Sequence, residues 1–124
     1  MEKRRILAID DDLTVLKFIE SALRSAYEIS TLSFCHDIQN TLESFRPDLL
    51  LLDLKLPNND GYELCQQIRE YRNFDSIPVI LMTGVDLNAI RNNYSKVGAS
   101  DYLLKPFDAD SLISKISSTF NSVN

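Results

Sequence analysis

The chain has 124 residues, of which 44% are hydrophobic and 25% are charged, and its formal net charge is −5 at pH 7. This length allows one compact domain with its own hydrophobic core, which we place at residues 1–124. The negative charge argues against direct binding to the backbone of nucleic acids or to an anionic membrane surface.

The cysteines and the N-terminal segment carry no sign of secretion or membrane insertion. Cys35 and Cys65 lack the spacing of metal ligands, and we expect both to be reduced packing residues. The basic segment Lys3–Arg5 precedes an apolar run that ends after four residues in aspartates. This run is too short for a signal peptide or a membrane span. We therefore predict a cytoplasmic protein with no membrane association.

Short apolar runs alternate with segments of helical spacing along the chain. Continuous apolar runs are typical of strands that are buried on both faces of a parallel sheet. The five predicted strands are Ile6–Ile9, Ile29–Leu32, Leu49–Leu52, Val79–Met82 and Tyr102–Leu104. The second is the weakest of these predictions, because Ser30 and Thr31 interrupt its apolar pattern.

After each of these runs, apolar residues recur with the period of an amphipathic helix. The predicted buried stripes are Leu16, Ile19 and Leu23; Ile38, Leu42 and Phe45; Leu64 or Cys65, Ile68 and Tyr71; Leu87, Ile90, Tyr94 and Val97; and Leu112, Ile113, Ile116 and Phe120. Asp12, Asp86 and Asp108 stand at expected N-caps, and Gly98 stands where the fourth helix would stop. The alternation predicts an α/β fold of the (βα)5 type, doubly wound around a five-stranded parallel sheet.

Polar residues follow four of the five apolar runs directly. These residues are Asp10, Asp11 and Asp12 after the first run, Asp53 after the third, Thr83 after the fourth and Lys105 after the fifth. Parallel strands bring their carboxyl ends to one edge of the sheet, where open α/β folds bind ligands. Clustered carboxylates favour Mg²⁺, while a lysine and a hydroxyl would orient phosphoryl oxygens. The pattern therefore predicts a Mg²⁺-dependent phosphoryl-transfer site.

The same residues lie in motifs that resemble the response-regulator receiver family of two-component signalling, including its chemotaxis regulators. The motifs are Ile6–Asp11, Asp48–Pro57, Asp60–Leu64, Pro78–Gly84 and Gly98–Phe107. All five occur in order at the spacing of the family, and together they cover nearly the whole chain. The resemblance implies a flavodoxin-like strand order, 2-1-3-4-5, and a cis peptide bond between Lys105 and Pro106.

The resemblance also implies how the site would work. Asp53 would accept a phosphoryl group from a phosphohistidine on a sensor histidine kinase or a histidine phosphotransfer protein. Asp11, Asp53 and the backbone carbonyl of Lys55 would bind Mg²⁺, and Asp10 would assist through a water molecule. The chain would be a phosphoacceptor that promotes its own phosphorylation and dephosphorylation, rather than an enzyme.

Phosphorylation would then switch a surface by shifting a pre-existing equilibrium. Thr83 and Lys105 would each hold an oxygen of the new phosphoryl group, Gly84 would leave room for it, and Tyr102 would turn inward. The responding surface would comprise the fourth helix, fifth strand and fifth helix, approximately Asp86–Val97, Tyr102–Leu104 and Asp108–Phe120. Its partner would be a downstream effector or a second, phosphorylated copy of the chain.

Two residues near the expected site depart from the commoner choices of the family. Lys55 places a cation at the mouth of the cleft, and Val85 is apolar. We hypothesise that Lys55 changes the lifetime of the phosphoryl group, because its ammonium would reach a phosphoryl oxygen. His36, the single histidine, has no metal-binding spacing and is expected to cap a helix or pack at the surface.

Three other functions are alternatives to this interpretation. The segment Asp10–Val15 resembles the D-x-D-x-T-V motif of haloacid-dehalogenase-type phosphatases, which would use Asp10 and Asp12, but it leaves Asp53–Pro57 unexplained. A nucleotide- or flavin-binding domain would need a glycine-rich or hydroxyl-rich first loop, whereas this one is acidic. A receiver-like binding module that takes no phosphate would usually lack a site residue, and here each one is present.

Overall fold

The structure is a computed structural model that describes residues 2–57 and 59–122. Positions 1, 58, 123 and 124 of the predicted 1–124 domain lie outside the described residues. The main sheet of the described chain has five parallel strands: β1 (Arg5–Ile9), β2 (Glu28–Leu32), β3 (Leu49–Asp53), β4 (Val79–Thr83) and β5 (Asp101–Leu104). Their order is β2-β1-β3-β4-β5, which confirms the predicted arrangement.

Helices cover both faces of the sheet. Within the described residues they are α1 (Leu13–Leu23), α2 (Ile38–Phe45), α3 (Gly61–Arg69), α4 (Leu87–Asn93) and α5 (Ala109–Asn121). Side chains of α1 and α5 form one core with the sheet, and side chains of α2, α3 and α4 form the other. Cys35 and Cys65 are buried and free in the second core, as predicted, and burial raises the pKa of the Cys65 thiol.

Each of the five α-helices in the described chain begins at an aspartate whose side chain caps it. The carboxylates of Asp12, Asp37, Asp60, Asp86 and Asp108 accept the backbone N–H groups of Thr14, Asn40, Tyr62, Ala89 and Ser111, respectively. Three of these caps were predicted. At the second helix the cap is Asp37, and the neighbouring His36 is exposed and stacks on Phe34.

Several helix predictions were wrong in detail. α4 ends at Asn93 rather than near Val97, because an Asn-Asn-Tyr-Ser segment of weak helix formers closes in turns before Gly98. Leu87 is 37% exposed and Ile113 is 39% exposed, so neither lies on a buried stripe. In α5 the buried face passes through Leu112, Ile116 and Thr119 instead. Tyr71 also lies beyond the end of α3, before a short 3-10 helix (Arg72–Phe74).

Arg69, at the end of α3, holds the loop that joins α4 to β5. Its Nε and Nη2 atoms donate to the carbonyl oxygen of Gly98 at 2.9 and 2.7 Å, and Nη1 donates to that of Phe74 at 3.3 Å. Gly98 has a φ of 87°, which glycine adopts without strain. The guanidinium group of Arg69 thus joins α3 to the loop at Gly98 and to the segment at Phe74.

Replacing Arg69 with methionine is expected to lower the free energy of unfolding by about 1–3 kcal/mol, because two partly buried carbonyls lose their charged donor. Urea unfolding measures this change. Arg72→Met is the matched control, since Arg72 is exposed and its loss is expected to stay within about 0.5 kcal/mol. Equal losses in the two variants would contradict the role given to Arg69.

Candidate functional site

Strand register brings the predicted site residues together at the carboxyl edge of the sheet. Ile9 of β1 pairs with Leu52 of β3, so Asp10 and Asp53 follow on adjacent strands. Thr83 ends β4 opposite Leu104 of β5, and Lys105 comes directly after it. The backbone N–H of Lys105 donates to the carbonyl of Thr83 at 2.7 Å, which fixes this second pair.

Three carboxylates meet at this edge. Asp10, Asp11 and Asp53 each offer an oxygen, and these oxygens lie within 4.8 Å of one another. Asp10 is fully buried and Asp53 is 5% exposed, whereas Asp11 is open to solvent. The Oδ1 atom of Asp10 accepts the N–H of Asp12 at 2.9 Å, which orients the carboxylate. An all-oxygen cluster of this size and charge fits a hard divalent cation such as Mg²⁺.

Lys105 lies between two of these carboxylates. Its Nζ is 2.6 Å from Oδ2 of Asp10 and 3.4 Å from Oδ1 of Asp53. Burial alone would lower the pKa of Lys105, but its bonds to Asp10 and the charges of both aspartates outweigh this effect and raise it. The ammonium is therefore charged at neutral pH. The peptide bond from Lys105 to Pro106 is cis, as the resemblance implied.

The Asp53 carboxyl group is harder to ionise than an exposed aspartate. Burial and then the charge of Asp10 raise its pKa from 3.8 to about 6, against the opposing effects of Lys105 and the N–H of Lys55. That N–H donates to Oδ1 of Asp53 at 3.3 Å. A second cation near Asp53 would relieve the remaining repulsion, since an opposite charge favours the ionised form.

Thr83 lies at the carboxyl edge of the sheet, but its hydroxyl group is hydrogen-bonded within its own loop. The Oγ1 atom donates to the carbonyl of Val85 at 2.9 Å and accepts the N–H of Val85 at 3.2 Å. The ring of Tyr102 is half-buried and tilted against the ring of Tyr94, with centroids 5.0 Å apart. A Cβ added at Gly84 would lie 3.7 Å from Cβ of Lys105, so this position is not crowded.

Two features beside the cleft were not predicted from the sequence. The first is a hairpin between β3 and α3, formed by Lys55–Leu56 and Asn59–Asp60. The second is an exposed apolar rim, in which Leu13 is 61% and Phe18 is 39% exposed. The ring of Phe18 lies 6.0 Å from that of Phe107, which follows Lys105 closely. Phe18 lies outside the predicted buried stripe of α1. This position was the feature of the sequence that indicated an exposed side chain.

Comparison with known proteins decides the family. A family model described as the response regulator receiver domain matches residues 6–117. The chain belongs to the response regulator receiver family. Receivers of two-component systems are generally phosphoacceptors rather than enzymes. No helix within the described residues is long and apolar enough to cross a membrane.

Curated relatives are similar to this receiver over most of its length. The response regulator MprA of Mycobacterium ulcerans is 36% identical over 115 residues, which cover 90% of this chain and 48% of MprA. The chain spans about half the length of several other curated relatives as well.

Two solved structures resemble the receiver over nearly its whole length. A putative response regulator from Chloroflexus aurantiacus has a TM-score of 0.88 and is 30% identical, over 97% of this chain and 99% of its own. The receiver domain of the sensor histidine kinase PA1611 from Pseudomonas aeruginosa has a TM-score of 0.83 and is 32% identical, over 97% and 99% of the two chains. That structure is described with a magnesium ion coordinated in its active-site cleft.

Proposed function

We propose that this chain, over residues 1–124, is a receiver domain that accepts a phosphoryl group on Asp53 in a Mg²⁺-dependent reaction. The observation that carries the proposal is the meeting of Asp10, Asp11 and Asp53 with Lys105 at one sheet edge. The donor would be a phosphohistidine on a sensor histidine kinase or a histidine phosphotransfer protein. The receiver would promote its own phosphorylation and dephosphorylation.

The metal ligands would be the carboxylates of Asp11 and Asp53 and the backbone carbonyl of Lys55, with Asp10 assisting through water. A magnesium ion bound there would neutralise charge on the phosphoryl oxygens. The carboxylate–Mg²⁺ chemistry matches the oxygen-only cluster, and the magnesium-bound receiver domain of PA1611 supports it.

The residues of the chain would carry out the transfer itself. An oxygen of Asp53 forms the new P–O bond while the P–N bond to the donor imidazole breaks, and the electron pair leaves with the imidazole nitrogen. The ammonium of Lys105, 3.4 Å from Asp53, neutralises one phosphoryl oxygen. The Thr83 hydroxyl group exchanges its bond with the carbonyl of Val85 for a bond with another oxygen.

This exchange at Thr83 would link the site to the output surface. Release of Val85 frees the loop that leads into α4, and Tyr102 turns inward as the loop moves. The phosphoryl group carries about −1.5 to −2 charges in place of the single charge of the Asp53 carboxylate, and so favours this arrangement. The surface of α4, β5 and α5 would then bind a downstream effector or a second phosphorylated receiver. Several relatives are named as transcriptional regulators, so an attached or separate transcriptional effector is our proposal for the output.

The decisive experiment is labelling by radioactive acetyl phosphate with and without Mg²⁺. The proposal requires labelling that needs both Mg²⁺ and Asp53. Sustained phosphatase turnover that survives Asp53→Asn but is lost with Asp10→Asn would favour the haloacid-dehalogenase-type alternative. Absence of labelling, together with absence of beryllofluoride binding, would favour a binding module that takes no phosphate.

Lys55→Ala is expected to change the hydrolysis rate of the phosphorylated receiver, because the exposed side chain stands beside the site. The measurement is the decay of label after removal of acetyl phosphate. Lys17→Ala is a suitable control, since Lys17 is an exposed lysine of α1. Identical decay in the Lys55 variant and the wild type would dismiss the hypothesis.

A further inference from the structure

The turn between β3 and α3 is closed by a backbone contact that only glycine permits. Gly61 is buried, and its N–H donates to the carbonyl of Leu54 at 2.9 Å. A Cβ at this position would lie 2.6 Å from Cα of Leu54 and 2.8 Å from the carbonyl oxygen of Asp53. Both obstacles are backbone atoms, which no rotation of a side chain would remove.

Helix formation does not explain this glycine. Gly61 is the first residue of α3, after the Asp60 cap, and its φ lies outside the left-handed region that favours glycine. Alanine is the better helix former by about 1 kcal/mol in a helix interior. The requirement for glycine therefore comes from the close approach to Leu54.

The backbone that Gly61 contacts lies between two of the proposed metal ligands. Leu54 separates Asp53 from Lys55, and its own N–H donates to the carbonyl of Met82 in β4 at 2.9 Å. The hairpin returns Asp60 to a position opposite Lys55, directly before Gly61. Leu54 is thus held by β4 on one side and by Gly61 on the other, with little freedom to move.

We propose that Gly61 is a positioning residue for the metal and phosphoacceptor site. Its missing side chain lets α3 close on Leu54, and this contact fixes the Asp53 carboxylate and the Lys55 carbonyl relative to Asp11. The inference rests on the proposed function, because it concerns the same ligands. It adds a residue that touches neither metal nor phosphoryl group.

The first test measures the Mg²⁺ affinity of the intact Gly61→Ala chain by calorimetry. We expect its affinity to fall by about 10–100-fold, the usual loss when a residue that orients metal ligands is changed. The control is Leu23→Ala, a fully buried core change in α1, which destabilises the fold without approaching the site. We expect the affinity of the folded control to be unchanged.

A folded Gly61→Ala chain with wild-type affinity would overturn the inference, and so would an equal loss in both variants. Failure of the proposed function looks different. In that case the wild type itself would bind no Mg²⁺, or its binding would be indifferent to Asp53→Asn and Asp11→Asn.

A second test needs no variant and decides the matter if Gly61→Ala does not fold. Coupling between two events is reciprocal, so Mg²⁺ must stabilise the contact that positions its ligands. We expect saturating Mg²⁺ to slow amide hydrogen exchange at Gly61 by at least several-fold more than at Arg46. The Arg46 amide donates to Leu42 at 2.8 Å at the end of α2. Equal slowing at the two amides would overturn the inference.

Discussion

Asp53→Asn is expected to reduce Mg²⁺-dependent labelling by acetyl phosphate at least about 100-fold, to background, because a carboxamide is not a competent acceptor. Asp75→Asn, in an exposed turn, should label like the wild type. Label that persists in Asp53→Asn at the wild-type rate would move the acceptor to another residue. Mass spectrometry of the borohydride-reduced protein would then identify that residue.

The same substitution is expected to stabilise the metal-free fold. The pKa of Asp53 in the folded chain, about 6, lies above its ordinary value of 3.8. The favourable contribution of the protonated group is complete below the ordinary value and is lost as pH rises through about 6. At pH 7 the folded chain bears the free-energy cost of an ionised Asp53 carboxylate. Asparagine removes this cost, and the free energy of unfolding is expected to rise by an amount on the order of 1–2 kcal/mol. Urea unfolding at pH 4 and pH 7 should show the gain only at pH 7.

Lys105→Met is expected to have the opposite effect on the metal-free fold. It leaves the fully buried Asp10 facing Asp53 without the ammonium that now lies 2.6 and 3.4 Å from them. Removing one partner of a buried ion pair costs about 3–5 kcal/mol. Mg²⁺ should restore much of this loss, and its affinity should rise because it no longer competes with an internal cation.

Thermal unfolding with and without Mg²⁺ measures both effects. Lys105→Met should unfold at a lower temperature than the wild type in chelator and gain more from Mg²⁺. The double variant with Asp53→Asn should recover part of the loss, because one of the two repelling carboxylates is gone. Equal Mg²⁺ affinities in the wild type and Lys105→Met would show that the lysine does not compete with the metal.

The sequence contained most of what positions the site. Continuous apolar runs such as Leu49–Leu52 predict central strands, because both of their faces are buried. Because the strands are parallel, the residue after each run must lie at the carboxyl edge. The positions of Asp10, Asp53, Thr83 and Lys105 follow directly from this rule.

The remaining features depend on contacts that periodicity does not encode. The Thr83 hydroxyl group bonds to the backbone two residues away, and Lys105 lies closer to Asp10 than to Asp53. The hairpin after Asp53 is too short to leave a pattern of its own. The end of α4 was missed because its apolar spacing continues through Val97 while weak helix formers interrupt it.

The aspartate that caps α5 has a consequence for acid tolerance. The ionised carboxylate of Asp108 is a stronger acceptor than its protonated form, and the backbone N–H of Ser111 accordingly lowers the pKa of Asp108. This contribution is present above the ordinary pKa of aspartate and disappears as pH falls through the lowered one. Acidification should therefore loosen the start of α5, just after Lys105, while the interior of the sheet stays intact.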